Sequence, residues 1–182
     1  YDKSSIPDNM VQVRGPGWTP SDTYYQCRYA VLREPLGFDR GAELLADDAD
    51  AIHAYVEDSD EAIVCVGRAH LIPEDSDGSQ SDFPGGSGPK TPSFGPLSNQ
   101  KNRPAIQIRQ MGTLFSSRRN GLAAKVLTAL ETESKNVFSA KIGLLQAREQ
   151  AIPFYEAAGW TVIDQPYSIP NVGPHRSMMK LL

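Results

Sequence analysis

The sequence has little of what marks secreted, membrane-spanning or strongly nucleic-acid-binding proteins. It contains only two cysteines in 182 residues, Cys27 and Cys65, so we expect free thiols buried in strands rather than a disulfide framework or metal site. No apolar run approaches the roughly 20 residues that a membrane-spanning helix needs. The first residues also lack the apolar core of a signal peptide. These absences favour a cytoplasmic protein in a reducing compartment, with no membrane partner.

An excess of positive charge is also missing. The chain has 18 Lys and Arg residues against 22 Asp and Glu residues, which gives a formal net charge of −4. Proteins that hold nucleic acid by bulk electrostatic attraction carry the opposite balance, so nucleic acid is not an expected partner. A local basic pocket stays compatible with this charge. At 182 residues, the chain fits one domain with a substantial core.

The distribution of Gly, Pro and Ser divides the chain. Residues 1–23 are rich in Gly, Pro, Asp and Ser, and we expect an N-terminal arm with weak strand character ahead of one domain over 24–182. Within that domain, 16 of the 31 residues from 73 to 103 are Gly, Pro or Ser. Such a composition buries too little apolar surface to offset its ordering entropy. It predicts a flexible surface insertion, and the alternative is a substrate lid.

Hydrophobic patterns predict an α/β (α+β) protein. Residues 24–32 alternate and are predicted as a strand that runs into a short helix, and 51–56 and 62–71 are predicted as a hairpin. Further strands are predicted over 105–115, 141–146, 160–163 and 177–182, with helices over 121–136 and 150–158. Strands followed by a β-α-β-α run and more strands imply a mixed sheet.

The segment from residue 118 to residue 123 has the chemistry of a phosphate site. It reads Arg118, Arg119, Asn120, Gly121, Leu122 and Ala123, between a predicted strand and a predicted helix. The first N–H groups of a helix lack intrahelical partners and carry the positive end of its dipole, so they bind anions. The arginines add full positive charge. A phosphorylated ligand is therefore predicted, and the competing interpretation is a solvated helix start.

This segment and a second one resemble the GNAT superfamily of acyl-CoA-dependent N-acyltransferases. The family's pyrophosphate loop has Gln or Arg, two residues, Gly, one residue, and then Gly or Ala, which residues 118–123 match. Residues 145–160 resemble the family's strand–helix element that ends in Phe-Tyr-Glu and then Gly-aromatic. Here those residues are Phe154, Tyr155, Glu156, Gly159 and Trp160. Residues 28–37 and the region around His175 are similar to the first strand and helix, and to the last strand, of one bacterial subgroup.

The resemblance implies a GNAT-like single domain over 24–182, with a mixed, mostly antiparallel central sheet flanked by helices, and acetyl-CoA as co-substrate. The CoA pyrophosphate would lie on backbone N–H groups after Arg119, where Gly121 permits close approach. The pantetheine arm would pair with the strand before the loop. The contacts implied for that arm are Met111, Gly112, Thr113 and Arg148. An ordinary strand glycine is the competing interpretation of Gly112.

The same resemblance implies direct attack of a substrate amine on the thioester. Tyr155 stands where the family often places its general acid, because a phenol stays protonated at neutral pH and can protonate the leaving thiolate. The competing interpretation is a tyrosine packed in the core. Family members that use a glutamate as the general base often have it on the strand before the loop. The corresponding residues here, 107–110, contain no carboxylate. His70 and His175 are the candidate bases, with Glu34 a weaker one, although a lone histidine is more often structural.

We therefore expect an N-acetyltransferase that moves an acetyl group from acetyl-CoA to a primary amine of a small molecule or peptide. It would act as a monomer or homodimer and without a metal. Two alternatives stay open from the sequence. One is a non-catalytic acyl-CoA-binding or regulatory module on the same fold, and the other is a binding protein for a different phosphorylated ligand. The acidic stretch over 47–61 either attracts a cationic acceptor or is a solvated surface.

Overall fold

The computed structural model describes residues 11–79, 81, 83–84, 91–95, 99–170 and 172–182. This part of the chain contains eight strands: β1 (Val11–Arg14), β2 (Ile52–Glu57), β3 (Ile63–Leu71), β4 (Ala105–Thr113), β5 (Ile142–Arg148), β6 (Thr161–Val162), β7 (Tyr167–Ile169) and β8 (Gly173–Leu181). It also contains three α-helices: α1 (Asp22–Leu32), α2 (Leu122–Phe138) and α3 (Ile152–Ala157). None of the helices within these residues is long and apolar enough to cross a membrane.

All eight strands belong to one sheet. Its order is β1-β2-β3-β4-β5-β8-β6, and β7 pairs with β8. Every neighbouring pair is antiparallel except β4 and β5, which are parallel and joined through α2. The predicted mixed, mostly antiparallel sheet flanked by helices is therefore confirmed. Because β1 pairs with β2, part of the predicted arm over residues 1–23 forms an edge of this sheet; residues 1–10 lie outside the described part.

The two parallel strands separate after a short paired stretch. β4 and β5 pair only from Ala105 to Gln107, opposite residues 142–144. Beyond that point β4 follows β3 as far as Thr113, and β5 follows β8 as far as Arg148. A register shift between β3 and β4, where Gln110 has a φ of +58°, adds an irregularity of the β-bulge kind. The facing edges of β4 and β5 thus open a gap in the middle of the sheet.

The helix α2 covers one face of this sheet. Its predicted apolar stripe of Leu122, Val126, Leu127 and Leu130 is at most 2% exposed and belongs to the largest core cluster. Each such side chain contributes roughly 1.5–3 kcal/mol by burial. A Cβ on Gly67 would lie 2.7 Å from a methyl group of Val126, so a glycine in β3 lets the helix approach closely. The stripe was predictable because apolar residues recur every three or four positions.

Residues 22–32 form a helix throughout, so the prediction of a strand at the start of 24–32 is wrong. Ser21 caps the helix, and its hydroxyl accepts a hydrogen bond from the N–H of Tyr24 at 3.2 Å. Tyr24, Cys27 and Arg28 are buried, and their spacing of three and four residues is that of one helix face. The same segment also alternates, and this alternation led to the prediction of a strand. Cys27 therefore lies on a helix rather than on a strand. Both cysteines are free and buried, as predicted.

The acidic stretch over 47–61 is only partly a surface. The β2–β3 hairpin is confirmed, and its connection is exposed. Asp48, in contrast, is 3% exposed and forms ion pairs with Arg28 at 2.8 Å and Arg68 at 2.9 Å. Asp47 pairs with Arg68 at 2.7 Å. These carboxylates are neutralised by buried arginines, so neither interpretation from the sequence describes them.

Part of the insertion over 73–103 packs against the rest of the protein. Thr91 and Phe94 are 8% and 5% exposed. The guanidinium of Arg103 donates to the carbonyls of Ile72 at 2.7 Å and Ser76 at 2.6 Å. Residues 80, 82, 85–90 and 96–98 lie outside the described part. The described residues therefore include both buried anchors and exposed positions, and the flexible insertion stays a prediction.

The C-terminal elements differ from their predictions mainly in extent. β8 begins at Gly173, four residues before the predicted start at residue 177, and therefore includes His175. The three-residue β7 was not predicted, because so short a strand carries no readable alternation. Gly159, with a φ of +93°, ends the α3 segment as predicted.

Candidate functional site

A cavity of about 250 Å³ lies where β4 and β5 separate. Its lining comes from the end of α1, the second half of β4, the end of β5, α3, β7 and β8, and the packed insertion. The residues predicted from the sequence that line it are Met111, Gly112, Thr113, Arg118, Arg148, Tyr155 and His175. The other predicted residues, His70, Arg119, Asn120, Gly121, Leu122 and Ala123, are not part of this lining. The fold thus unites segments more than a hundred residues apart in the chain.

Gly112 makes room for a helix. A Cβ at this position would lie 2.5 Å from the Cγ2 and 3.0 Å from the Cβ of Val31, on α1. Contacts this short are not tolerated in packed proteins, so a side chain here would push α1 away from β4. The close approach predicted for a ligand at Gly112 is therefore made by α1. The glycine shapes the cavity wall through the helix that it admits.

The loop between β4 and α2 has the geometry of an anion cradle. Its backbone enters the left-handed region at Arg119, with a φ of +67°, and again at Gly121, with a φ of +73°. Gly121 is the N-cap of α2 and offers no side-chain cap, so the first N–H groups of this 17-residue helix stay open to a ligand. These groups carry the positive end of the helix dipole and favour a bound anion.

Polar side chains surround this helix start. The Nε of Arg118 donates to the carbonyl of Thr113 at 3.3 Å, which holds the guanidinium beside the cavity. The amide of Asn120 donates to the carbonyl of Ser117 at 3.1 Å and closes the turn. Arg118 and Arg119 are both exposed, so their charges reach solvent next to the cradle. An anion at the helix start would meet two guanidinium groups that match its charge.

Tyr155 joins the core to the cavity. It is 8% exposed and packs edge-on against Phe154 and Trp160, at ring centroid distances of 4.9 Å and 6.2 Å. The ring belongs to the core, as the competing interpretation predicted, and the residue also lines the cavity. The role of general acid stays a prediction. Burial raises the pKa of Tyr155, which keeps the phenol protonated at neutral pH. Its hydroxyl has no hydrogen-bond partner among the described residues.

His175 is a buried histidine that lines the cavity. It is 5% exposed, and its Nδ1 lies 2.8 Å from the carbonyl of Gly173. Because a carbonyl only accepts, Nδ1 carries the proton and donates it, which leaves the lone pair on Nε2. Burial lowers the pKa of His175, and the positive charge of Arg148 lowers it further, whereas the Gly173 hydrogen bond raises it. The imidazole is therefore neutral at pH 7 and can accept a proton.

The structure separates His70 from the cavity. His70 lies on β3, is 4% exposed, and donates through Nδ1 to the carbonyl of Leu71 at 3.1 Å. Burial, followed by the charges of Arg68 and Arg109, lowers the pKa of His70 to about 3. Glu34 is exposed on a 3-10 turn outside the lining. Of the three bases proposed from the sequence, His175 alone lines the described cavity.

Several polar residues of the cavity were not predicted as site residues. They are Arg33, Thr91, Arg109 and Gln146. Strand alternation was the available signal for two of them, because residues two positions apart in a strand lie on the same face. It places Arg109 with Gln107, and Gln146 with Arg148. No local pattern marked Arg33 or Thr91, because they reach the cavity only through the packing of α1 and the insertion. The oxygen of Thr91 accepts from Arg109 at 3.3 Å.

Solved structures share this architecture, although no protein-family model matches the sequence. FeeM, an N-acyl amino acid synthase from uncultured soil microbes, is similar with a TM-score of 0.65 and 10% identity, over 94% of this chain and 91% of that one. An acyl-CoA N-acyltransferase from Pseudomonas aeruginosa is similar with a TM-score of 0.61 and 12% identity, over 93% and 97%. NAA60 from Arabidopsis thaliana, in complex with acetyl-CoA, is similar with a TM-score of 0.61 and 11% identity, over 94% and 98%. The chain therefore shares the fold of these three proteins.

Proposed function

We propose that this chain is an N-acyltransferase of the GNAT superfamily that transfers an acetyl group from acetyl-CoA to a primary amine. The observation that carries this proposal is the gap between β4 and β5, with an uncapped helix start on one side and Tyr155 and His175 beside it. The shared fold supports it, since NAA60 has been solved with acetyl-CoA. The free, buried thiols of Cys27 and Cys65 support a reducing compartment such as the cytoplasm.

In this proposal, acetyl-CoA lies across the gap. Its pyrophosphate would accept hydrogen bonds from the first N–H groups of α2, with Arg118 and Arg119 adding charge. The pantetheine arm would pair with the edge of β4 over 110–113 that β5 leaves open, in the manner of an added strand. A backbone N–H near Thr113 would polarise the thioester carbonyl as part of an oxyanion hole.

The proposed chemistry needs one proton acceptor and one proton donor. The amine nitrogen attacks the thioester carbon, the C–S bond breaks, and the new amide and a CoA thiolate form. Nε2 of His175 would take the proton that the amine loses, and the hydroxyl of Tyr155 would protonate the thiolate. The products are the N-acetylated amine and free CoA, and the protonation states of the two side chains are restored through solvent. A single carboxylate base is not required.

Two measurements test this function. Calorimetry with CoA and acetyl-CoA is expected to show binding to the wild-type protein, and a thiol-release assay with a panel of amines is expected to show turnover. If neither CoA nor acetyl-CoA binds, the acyl-CoA site is refuted. Heat-denatured protein provides the background rate of thiol release in the second assay.

The second candidate is a non-catalytic acyl-CoA-binding module. The observation that favours it is the lining of the cavity, because no described lining residue is an aspartate or glutamate. A module of this kind would bind acetyl-CoA with the same contacts to α2 and β4. It would release no thiol with any amine, so nucleotide binding without turnover identifies it. The opposite result assigns the base role to a group other than a carboxylate.

A further inference from the structure

One face of the sheet presents a row of polar side chains to the cavity. Strand alternation places Gln107 and Arg109 of β4 on this face, together with Gln146 and Arg148 of β5. The side-chain amides of Gln107 and Gln146 are in contact at 2.7 Å, so the two strands share this face. His175 lies directly opposite Arg148 in the β5–β8 register and therefore belongs to the same face. α2 packs on the other face.

The charged residues that line the cavity are positive. The described residues of the cavity lining include four arginines, Arg33, Arg109, Arg118 and Arg148, and no carboxylate. The protein itself holds three of them, and the contact of Arg118 is its hydrogen bond to the carbonyl of Thr113. Arg33 donates to the carbonyl of Ala42 at 2.8 Å and lies 4.3 Å from the ring centroid of Phe83. Arg109 donates to the hydroxyl of Thr91 at 3.3 Å. Their hydrogen bonds to the protein therefore fix these arginines in the cavity lining.

Arg148 differs from the other arginines of the cavity. It is half-buried and makes no hydrogen bond or ion pair with any residue that the structure describes. A partly desolvated guanidinium without an anion is unfavourable, and a carboxylate that forms two parallel hydrogen bonds would compensate it. The adjacent His175 is neutral and cannot supply the missing negative charge. The position therefore favours a ligand that brings its own anion.

The phosphates of CoA are poorly placed to be that anion. Their cradle is the start of α2, which packs on the face of the sheet opposite to Arg148, and Arg118 already stands beside it. Part of the remaining lining is apolar. It includes Val31, Leu32, Leu36, Ile169 and Val172. A cavity of about 250 Å³ that also receives the thioester end leaves room for a small acceptor with an apolar side chain.

We propose that the acceptor is a small apolar amino acid whose carboxylate pairs with Arg148 while its amine faces Nε2 of His175. This inference rests on the proposed N-acyltransferase function and names its substrate class. The register of β5 and β8 places Arg148 and His175 directly opposite each other, so one ligand in the cavity can meet both side chains. Arg148 is then a specificity-determining residue, and the apolar lining selects the side chain.

Three matched acceptors test this proposal with saturating acetyl-CoA: L-leucine, L-leucinamide and 3-methylbutylamine. They share an isobutyl group and differ in the carboxylate. We expect the wild-type kcat/KM for L-leucine to exceed both others by roughly tenfold or more, since a site built for a charged partner rejects analogues that lack it. Arg148→Gln is expected to remove this preference, and Arg148→Lys to keep part of it. Arg176→Gln, on the same strand as His175 but outside the lining, is the control and should retain the preference.

The outcomes separate this inference from the function on which it rests. Turnover of the uncharged amines at or above the rate of L-leucine, or an unchanged preference in Arg148→Gln, would overturn the inference and leave the acyltransferase function standing. If none of the three amines is acetylated, the wider amine panel decides the function, and calorimetry of the CoA-bound protein decides the carboxylate site at Arg148. Tighter binding of N-acetyl-L-leucine than of N-acetyl-L-leucinamide, lost in Arg148→Gln, supports it. Equal binding, or no binding of either, contradicts it.

Discussion

Arg148 and His175 lie directly opposite each other on β5 and β8, and both line the cavity at the gap between β4 and β5. The guanidinium helps to hold the pKa of the imidazole below its ordinary value, second to the effect of burial. A positive charge beside an imidazole lowers its pKa and so favours the neutral form. The same charge can bind the carboxylate of the proposed acceptor next to the imidazole. In the proposed function, one pair of residues thus connects acceptor recognition with proton transfer.

Removal of this charge should change the pH dependence of catalysis. Arg148→Gln takes a positive charge away from the imidazole, so the pKa of His175 rises and the acid limb of kcat/KM moves to higher pH. The profile is measured with 3-methylbutylamine, whose lack of a carboxylate isolates the base from acceptor binding. His175→Gln should abolish the limb assigned to this residue. An acid limb at the same pH in the wild type and in Arg148→Gln would contradict the coupling.

The phenol of Tyr155 should matter to turnover more than to binding or folding. Tyr155→Phe is expected to lower kcat roughly 100-fold, which is typical for loss of a general acid. The affinity for CoA and the thermal stability should change little, because the hydroxyl has no hydrogen-bond partner among the described residues. Tyr29→Phe, outside the cavity lining, is the matched control. Unchanged kcat in Tyr155→Phe would show that another group or water protonates the thiolate.

The left-handed backbone at Gly121 should decide CoA affinity. A Cβ here would meet nothing within 4 Å, so a substitution acts through the φ of +73° rather than through a clash within the protein. Valine in this conformation costs roughly 1–2 kcal/mol, so Gly121→Val is expected to weaken CoA binding about tenfold. Gly121→Asn is the control, because asparagine enters this region more readily. Calorimetry that finds equal affinity for the valine variant and the wild type would refute the cradle.

Gly112 and Val31 should behave as a coupled pair. Gly112→Ala places a methyl group 2.5 Å from the Cγ2 of Val31 and is expected to destabilise the protein by about 1–3 kcal/mol in urea unfolding. Val31→Ala removes the opposing methyl groups, so the alanine at 112 should cost much less in that background. Additive free energies in the double-mutant cycle would show that α1 yields in some other direction.

His70 should affect stability at acid pH rather than catalysis. Its pKa of about 3 lies below the value of about 6.5 expected in the unfolded chain, so the unfolded state binds the extra proton between these values. Stability is therefore lost as the pH falls below about 6.5, by up to about 1.4 kcal/mol per pH unit for this group. His70→Leu should flatten the curve of unfolding free energy against pH and leave kcat/KM close to the wild-type value. A large loss of kcat/KM in a stably folded variant would return His70 to the list of catalytic candidates.

The sheet, the hairpin and the stripe of α2 could be read from the sequence because each depends on a local period. The helix over 22–32 could not be predicted in this way, since the aromatic residues at 24 and 25 fit both a strand and a helix pattern. Only the burial of its side chains in the fold shows the helical spacing. The buried ion pairs of Asp48 were also beyond local reading. They join Asp48 to Arg28 and Arg68, each 20 positions away in the chain, and a run of acidic residues looks the same whether solvated or paired.

By itself, the sequence determined the strand, the turn at Gly121 and the apolar helix that follows, because backbone conformation and side-chain period act over only a few residues. The same holds for Tyr155 near the end of a short helix closed by Gly159. Only the tertiary structure shows which of His70 and His175, equal candidates from the sequence, lines the cavity. The registers of β3 and β8 bury the first beside two arginines and put the second opposite Arg148 in the cavity. Register is set by packing across the whole sheet, and no single segment contains that information.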